Sequence, residues 1–556
     1  MTQHTKVLNE KERLIFDELS SCFPLVEEIP ANHKLSAPVH QRSYLVNGEL
    51  VEWNGPTNLV HSPIHIRTKE NVYEPLLIGS YPLGTVSEAK LALASAVVAF
   101  DNGRGKWPSM SIADRARALQ DFTFKMVSRK NEIVKLIMWE IGKSSLDAEK
   151  EFDRTIEYIQ SSIGAAKQVH NRSTQFVAEQ NFIAQTKRVP IGVVLCMGPF
   201  NYPLNEPFTT LIPALLMGNT ILFKPPKHGT LLFAPLLEAF AEAFPKGVVN
   251  TVYGRGRDIV PTLMASGKVD VLALIGSSKV ADSLKKMHPK LNRLKSILGL
   301  DAKNAAIVLE DADIEATVKE AVAGALSFNG QRCTALKIFF VQRSQVDRFN
   351  QLLVQETDKL SVGMPWTKGV SITPLAEPDK PAYLKELMDD AIAHGAKIIN
   401  HNSGGGVIAK SLMKPAVLYP VNEAMKIYHE EQFGPVIPVV PFDHIEDAIN
   451  YVVNSPFGQQ LSVFGKDPEM ISHVIDMLNG QVGRININTQ CQRSPDTFAF
   501  GGRKDSAEGT LSVDEALNAF STESVIATKQ IDTNVQILEA ILSANKSTRL
   551  NGLTAL

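Results

Sequence analysis

Residues 189–200 read VPIGVVLCMGPF, and this stretch decides the fold class. It is an apolar, β-branched run that ends in Gly-Pro, which is typical of a strand buried on both faces of a parallel sheet. Residues 206–219 (EPFTTLIPALLMGN) then predict a helix that Gly218 and Asn219 close. This strand–helix order indicates a doubly wound α/β sheet, whose ligands lie beyond the carboxyl ends of the strands.

The alternation continues towards the C-terminus. Further strands are predicted at 220–225, 248–254 and 269–276, and further helices at 231–244, 257–267 and 277–287. A second α/β region begins near residue 298 with NAAIVLED (304–311), and residues 109–170 are rich in helical patterns. The chain therefore predicts two α/β units preceded by helices.

The composition excludes several function classes. The chain has 556 residues, 44% of them hydrophobic and 21% charged, with a net charge of −2, so neither nucleic acid nor an anionic membrane is an expected partner. Its four cysteines lie far apart, which argues against disulfides and against a metal site. The N-terminus lacks an apolar secretory core and no long apolar run follows, so we expect a cytoplasmic protein.

Two sites stand out from the residues alone. Gly276-Ser277 follows a strand and opens a helix, where backbone N–H groups can hold a phosphate, although such a turn is more often a plain helix cap. Cys333 lies in SFNGQRCTALK (residues 327–337). A lone cysteine is more often a small buried apolar residue, but the polar flanks and Arg332, whose charge would favour a thiolate, indicate a nucleophile.

Five motifs carry a family resemblance: PFNYP (199–203), FKPP (223–226), GSS (276–278), GQRC (330–333) and EEQFGP (430–435). In their order and spacing the sequence resembles the aldehyde dehydrogenase superfamily over residues 44–529. The resemblance implies a Rossmann-type cofactor domain, an α/β catalytic domain and a β-hairpin oligomerisation arm. It also implies that Cys333 attacks the aldehyde while Asn201 and the Cys333 backbone N–H hold the oxyanion.

The same motifs imply the cofactor residues and the domain limits. Pro199 would line the nicotinamide pocket, Lys224 would bind the adenosine ribose, Gly276 and Ser277 the pyrophosphate, and Glu431 the nicotinamide ribose, with Phe433 beside the nicotinamide. The expected limits are 1–43 for an N-terminal extension, 44–170 with 190–297 for the cofactor domain, 298–482 for the catalytic domain, 171–189 with 483–530 for the arm, and 531–556 for a tail. A homodimer or homotetramer is implied.

Lys227 indicates which nicotinamide cofactor is used. NAD-preferring members of the superfamily carry a glutamate at this position, and a lysine replaces repulsion of a 2′-phosphate by attraction. Arg255, or Arg257 in the same loop, supplies a second cation. We therefore predict NADP as the cofactor, with NAD as the alternative.

One departure from the family pattern concerns release of the product. Hydrolytic members carry ELGGK, whose glutamate activates water, whereas this chain reads GLDAK with Gly299 in the glutamate position, 34 residues before Cys333. Three accounts are open. In the first, Asp301 acts as the base; in the second, coenzyme A takes the acyl group; in the third, the protein is an enzyme-derived binding protein with impaired deacylation. Against the first account stands a plain turn or helix cap as the role of Asp301, which is at least as common.

Four residues bear on the aldehyde: Arg154, Tyr202, Arg332 and Arg493. They match the phosphate-binding positions of the non-phosphorylating, NADP-dependent glyceraldehyde-3-phosphate dehydrogenases, the subfamily that this sequence resembles most. Three arginines in one pocket would hold a phosphate dianion and direct the carbonyl towards Cys333. Glyceraldehyde 3-phosphate is therefore the expected substrate and 3-phosphoglycerate the expected product.

Overall fold

The first sheet is the one that residues 189–200 predict. The computed structural model describes residues 10–544, 546–547 and 549–550. Five parallel strands and one short antiparallel strand form this sheet in the order Val249–Thr251, Thr220–Lys224, Val193–Met197, Val271–Ile275, Lys295–Gly299 and Ala507–Glu508. Along Val193–Met197, successive side chains alternate between two separate apolar cores. This alternation explains why the strand is apolar at nearly every position.

Helices cover both faces of the first sheet. They are Val86–Phe100, Asn205–Leu216, Leu237–Ala243, Gly256–Ala265 and Ser278–Met287, with Ile112–Ser128, Lys130–Ile141 and Ser145–Ser173 packed around them. The predicted helix at 231–244 is a 3-10 segment, Leu231–Leu236, followed by Leu237–Ala243. Pro235 explains the break, because it cannot donate the backbone hydrogen bond that an uninterrupted helix needs.

The second sheet has seven strands. Their order is Lys397–Ile398, Ala416–Tyr419, Val436–Phe442, Ile338–Gln342, Ala305–Val308, Gln460–Phe464 and Arg484–Ile487. Ala305–Val308 lies between two parallel partners and sends alternate side chains into two cores. The surrounding helices are Ile314–Leu326, Val346–Asp358, Lys380–Ala393, Ile445–Asn454 and Pro468–Leu478.

A third sheet is antiparallel and has three strands. It consists of Phe176–Glu179, Phe182–Pro190 and Ser521–Lys529, with Phe182–Pro190 in the middle. The predicted hairpin is therefore confirmed as a fold element. Towards the N-terminus lie helix Glu10–Ser21 and strands Ser43–Val46, Glu49–Glu52, Thr57–Arg67 and Tyr73–Pro82, and towards the C-terminus helices Val513–Ala519 and Asp532–Ser543.

Two of the expected domain limits need correction. Residues 298–299 end the strand Lys295–Gly299 of the first sheet, so the second unit begins after them rather than at 298. Arg484–Ile487 pairs with Gln460–Phe464 in the second sheet, and Ala507–Glu508 pairs with the first. Of residues 483–530, only Ser521–Lys529 belongs to the arm. Among the described residues, every helix is too short or too polar to cross a membrane.

Candidate active site

Cys333 follows a strained loop between helix Ile314–Leu326 and strand Ile338–Gln342. Phe328, Asn329 and Gly330 have φ angles of 47°, 58° and 71°, three left-handed residues in succession. A side chain at Gly330 would begin 2.7 Å from the Ala325 carbonyl oxygen, so only glycine fits there. Backbone strain of this kind lowers the free energy of unfolding, and it persists only where the surrounding structure holds the loop in place.

Three contacts fix the backbone around Cys333. The Asn304 side-chain amide donates to the Cys333 carbonyl oxygen at 2.8 Å and to that of Ala335 at 3.0 Å. Lys337 Nζ donates to the same Cys333 oxygen at 2.6 Å and forms an ion pair with Glu431 at 2.9 Å. Lys337 therefore links the residue expected to be the nucleophile with the residue expected to hold the nicotinamide ribose.

The thiol of Cys333 is not held as a thiolate. Burial raises its pKa, the charge of Glu206 adds to the rise, and Lys337 and Arg493 only partly oppose it. The prediction that Arg332 favours a thiolate is wrong. Its guanidinium points instead to the Gly324 carbonyl oxygen at 2.9 Å and to Gln490 at 3.4 Å.

Asn201 lies beside the Cys333 loop. Its side-chain amide donates to the carbonyl oxygen of Gln331 at 2.8 Å, two residues before Cys333. An asparagine amide has two N–H groups, so one remains for an oxyanion. Within the described residues no acceptor takes the Cys333 backbone N–H. Asn201 is therefore bonded to the segment that carries Cys333, and the two expected oxyanion donors each have an N–H group without a described acceptor.

The expected adenosine pocket is a cavity of about 500 Å³. Four cations line it, Lys224, Lys227, Arg255 and Arg257, and its described lining residues include no carboxylate. Burial lowers the pKa of Lys224 to about 8, and its ammonium donates to the Pro225 carbonyl oxygen at 3.1 Å. The donor set suits a 2′-phosphate, because cations meet no competing acid in the lining.

The residues expected at the nicotinamide end include Pro199, which follows Val193–Met197, the strand that neighbours Thr220–Lys224. The Phe433 ring meets that of Phe200, next to Pro199, with centroids 5.9 Å apart. Glu431 accepts a hydrogen bond from the Ala302 backbone N–H at 3.3 Å, which brings it close to GLDAK. Burial raises the pKa of Glu431, and Lys337 opposes that rise. Pro199, Glu431 and Phe433 are thus brought together.

Asp301 already has partners in the turn expected to hold the pyrophosphate. Its carboxylate accepts from the Ser278 backbone N–H at 2.8 Å and from the Ser278 hydroxyl at 2.9 Å. Ser277 caps the same helix, because its hydroxyl accepts from Val280 N–H. Of the two roles considered for Asp301, this geometry favours the cap over the base.

Two of the arginines expected to bind substrate converge, and each already has an acidic partner. Arg154 holds Asp496 through two nitrogens at 2.7 and 3.1 Å. Arg493 contacts the same Asp496 at 3.4 Å and Glu206 at 2.5 Å. Burial alone would lower the pKa of Arg493, but the two carboxylates more than offset it and raise the pKa. Two of the three arginines expected to hold a phosphate are therefore paired with carboxylates in this structure.

Arg332 differs from these two arginines. Its described contacts are with neutral oxygens, and its buried Nε has no hydrogen-bond partner among the described residues. Tyr202 packs on Phe328 of the strained loop, with the ring centroids 6.3 Å apart. Arg332 is therefore the one of the three arginines whose charge no carboxylate neutralises in the described part of the chain.

The structure adds four polar residues to those that the sequence predicts for this site: Lys143, Glu151, Asn304 and Lys337. Asn304 and Lys337 fix the Cys333 loop, and Lys143 with Glu151 holds the segment around Asn201. Asn304 and Lys337 stand close to recognised motifs, which was a usable signal. Lys143 and Glu151 carried none, because a buried lysine or glutamate looks like a solvated one in a sequence.

Comparison with known proteins identifies the family. The model of the aldehyde dehydrogenase family matches residues 66–526. The NADP-dependent glyceraldehyde-3-phosphate dehydrogenase of Streptococcus equinus is 33% identical over 80% of this chain and 92% of its own length. The malonate-semialdehyde dehydrogenase of Listeria monocytogenes is 28% identical over 85% of this chain and 94% of its own.

A solved structure agrees with these relatives. The NADP-dependent glyceraldehyde-3-phosphate dehydrogenase of Bacillus halodurans, complexed with NADP, is 30% identical, with a TM-score of 0.80 over 90% of this chain and 100% of that one. The predicted fold class and enzyme class, an NAD(P)-dependent aldehyde oxidoreductase, are confirmed. The chain belongs to the aldehyde dehydrogenase family.

Proposed function

We propose that this enzyme oxidises a short phosphorylated aldehyde with NADP, converting glyceraldehyde 3-phosphate into 3-phosphoglycerate. The observation that carries the substrate proposal is Arg332, which adjoins Cys333 and meets no carboxylate in the described structure. An unneutralised guanidinium in a partly buried site favours an anionic group on the substrate. The names of the Streptococcus equinus and Bacillus halodurans relatives support the same substrate.

The proposed chemistry is covalent. The Cys333 thiolate adds to the aldehyde carbon, and the resulting oxyanion is held by the Asn201 amide and the Cys333 N–H. A bound NADP supplies the hydride acceptor, which turns the adduct into a thioester on Cys333. Water then adds to the thioester carbon, the C–S bond breaks, and the Cys333 thiol and a carboxylic acid are released. Since burial raises the pKa of the Cys333 thiol, its proton must pass to water before the sulfur attacks.

The NADP proposal rests on the cavity that Lys224, Lys227 and Arg255 line. We expect Lys227→Glu to lower the preference for NADP over NAD by about 10- to 100-fold, because a carboxylate there repels the 2′-phosphate and removes a charged hydrogen bond. The ratio of kcat/KM for the two cofactors measures this. Lys290→Glu, an exposed change of the same charge, serves as the control. An unchanged ratio in Lys227→Glu would refute the assignment of Lys227.

The substrate proposal is tested by comparing glyceraldehyde 3-phosphate with glyceraldehyde, which lacks only the phosphate. The wild-type enzyme should prefer the phosphorylated aldehyde and complete many turnovers without coenzyme A. In Arg332→Met we expect kcat/KM for glyceraldehyde 3-phosphate to fall by about 10- to 100-fold, since a charged hydrogen bond is lost. The value for glyceraldehyde should change far less. Equal losses for both aldehydes would argue against a phosphate contact at Arg332.

Gly299 favours a second candidate, a coenzyme A-acylating aldehyde dehydrogenase. Without a carboxylate at this position, water lacks its usual base, whereas a thiol nucleophile has less need of one. Steady-state NADPH formation measured with and without coenzyme A separates the two candidates. A stall after one turnover that coenzyme A relieves would favour the acylating route, and a rate that coenzyme A leaves unchanged would exclude it.

We also propose that the arm mediates assembly into a homodimer or homotetramer. Its strands expose four apolar side chains to solvent, Val177, Phe182, Val525 and Ile526. Ser521–Lys529 is an edge strand of the described sheet, and exposed apolar edges favour pairing with another chain. A cytoplasmic location stays a prediction.

A further inference from the structure

Lys143 and Glu151 form a buried ion pair behind Asn201. The ammonium nitrogen lies 2.5 Å from Glu151 Oε2, and the two side chains are 1% and 0% exposed. Lys143 lies between helices Lys130–Ile141 and Ser145–Ser173, and Glu151 belongs to the second of these. Burying both charges costs several kcal/mol per ion, so the pair is not explained by a contribution to stability alone.

The remaining hydrogen bonds of the pair all go to one segment. Lys143 Nζ donates to the Asn201 carbonyl oxygen at 2.8 Å. Glu151 Oε1 accepts from the backbone N–H groups of Leu204 at 3.0 Å and Asn205 at 3.1 Å. The pair therefore fixes residues 201–205 at both ends, where the segment leaves the sheet edge and enters helix Asn205–Leu216.

The lysine also touches the loop that carries the nucleophile. Its ammonium lies 3.6 Å from the centroid of the Tyr202 ring and 4.5 Å from that of Phe328. Phe328 is the first left-handed residue before Cys333. One buried cation thus contacts both sides of the proposed oxyanion hole, through a hydrogen bond on one side and an aromatic face on the other.

We infer that Lys143, held in place by Glu151, is a positioning residue that sets the backbone of Asn201 so that its free amide N–H faces the Cys333 adduct. The Asn201 backbone is tied to Lys143 and its side chain to Gln331, so neither can rotate independently. This inference rests on the proposed role of Asn201 as an oxyanion donor but not on the identity of the aldehyde. A displacement of about 1 Å at such a donor can cost about 10²-fold in rate.

The test is a double-mutant cycle on the burst of NADPH, which reports acylation. Lys143→Met should lower the burst rate constant by about 10- to 100-fold, with the KM for NADP unchanged. Asn201→Ala should lower it by about 10²- to 10³-fold. The double variant should be no slower than Asn201→Ala, because both changes act through the same amide. Glu151→Gln serves as a second single variant, in case Lys143→Met fails to fold.

Glu140→Gln provides a matched control for the loss of a buried charge. Glu140 is 1% exposed and accepts from the backbone N–H groups of Thr230 and Leu231, much as Glu151 holds Leu204 and Asn205. The Glu140→Gln substitution should lower Tm without slowing the NADPH burst at saturating NADP. Additive losses in the double variant, or a Lys143→Met burst as fast as the wild type, would overturn the positioning role. An Asn201→Ala burst at the wild-type rate would overturn that role together with the role of Asn201.

Discussion

Replacing Gly299 with glutamate is expected to raise steady-state NADPH formation with water as the acyl acceptor by about 10²- to 10⁴-fold, the usual contribution of a general base. Gly299 ends the strand Lys295–Gly299 at the carboxyl edge of the first sheet. The next carboxylate along the chain, Asp301, is already bonded to Ser278. A new carboxylate at 299 would supply the base that the chain lacks there.

The structure has room for this change. A Cβ at position 299 would meet carbon atoms of Ile275 and Leu511 at 3.6–3.7 Å, which is ordinary van der Waals contact. Gly299→Gln adds the same bulk without a base and should leave turnover close to that of the wild type. The gain should appear in the steady-state rate and not in the burst. If the glutamate variant turns over no faster than the glutamine variant, deacylation at this position does not limit the enzyme.

Replacing Cys333 with alanine is expected to abolish aldehyde-dependent NADPH formation, with a loss on the order of 10⁴- to 10⁶-fold, since removal of a nucleophile removes the covalent route. The Asn304 and Lys337 contacts are with the Cys333 carbonyl oxygen and do not need the thiol, so the loop should keep its shape. Stopped-flow absorbance of NADPH measures the rate, and mass spectrometry of the quenched enzyme detects an acyl group on the peptide that contains residue 333.

Cys22 provides the matched control for that experiment. It is a free, half-buried cysteine in the N-terminal region, and Cys22→Ala should retain both the burst and turnover. NADPH formation in Cys333→Ala within about tenfold of the wild-type rate would contradict the nucleophile assignment.

The fold class could be predicted from the sequence because several strands are buried on both faces. Val193–Met197 and Ala305–Val308 are apolar at every position, since each supplies side chains to two cores, and runs of this kind are recognisable without a structure. The boundaries of the two α/β units were harder to predict from the sequence. Lys295–Gly299 runs into GLDAK without a change of composition, and the pairing of Arg484–Ile487 depends on a partner distant in the chain.

Sequence motifs pointed to several residues that the structure brings close together, and the roles of these residues stay predictions. Cys333 and Asn201 do meet through Gln331, and Lys224, Lys227 and Arg255 do share a cavity. Which of the arginines form ion pairs with carboxylates could not be predicted. Whether Arg493 is free depends on Glu206 and Asp496, and only tertiary structure brings Arg154 to the same carboxylate. The sequence likewise could not show whether Asp301 caps a helix or acts as a base, because its hydrogen bonds to Ser278 are visible only in the structure.

The pre-steady-state trace of NADPH, recorded with glyceraldehyde 3-phosphate and NADP in the absence of coenzyme A, tests the central claim most directly. That claim is that Cys333 forms the acyl-enzyme readily and that Gly299 leaves its release unassisted. It predicts a burst of about one NADPH per subunit followed by a slower, sustained rate. A trace that is linear from the first turnover, with no burst, would contradict it, because release would then not limit the reaction.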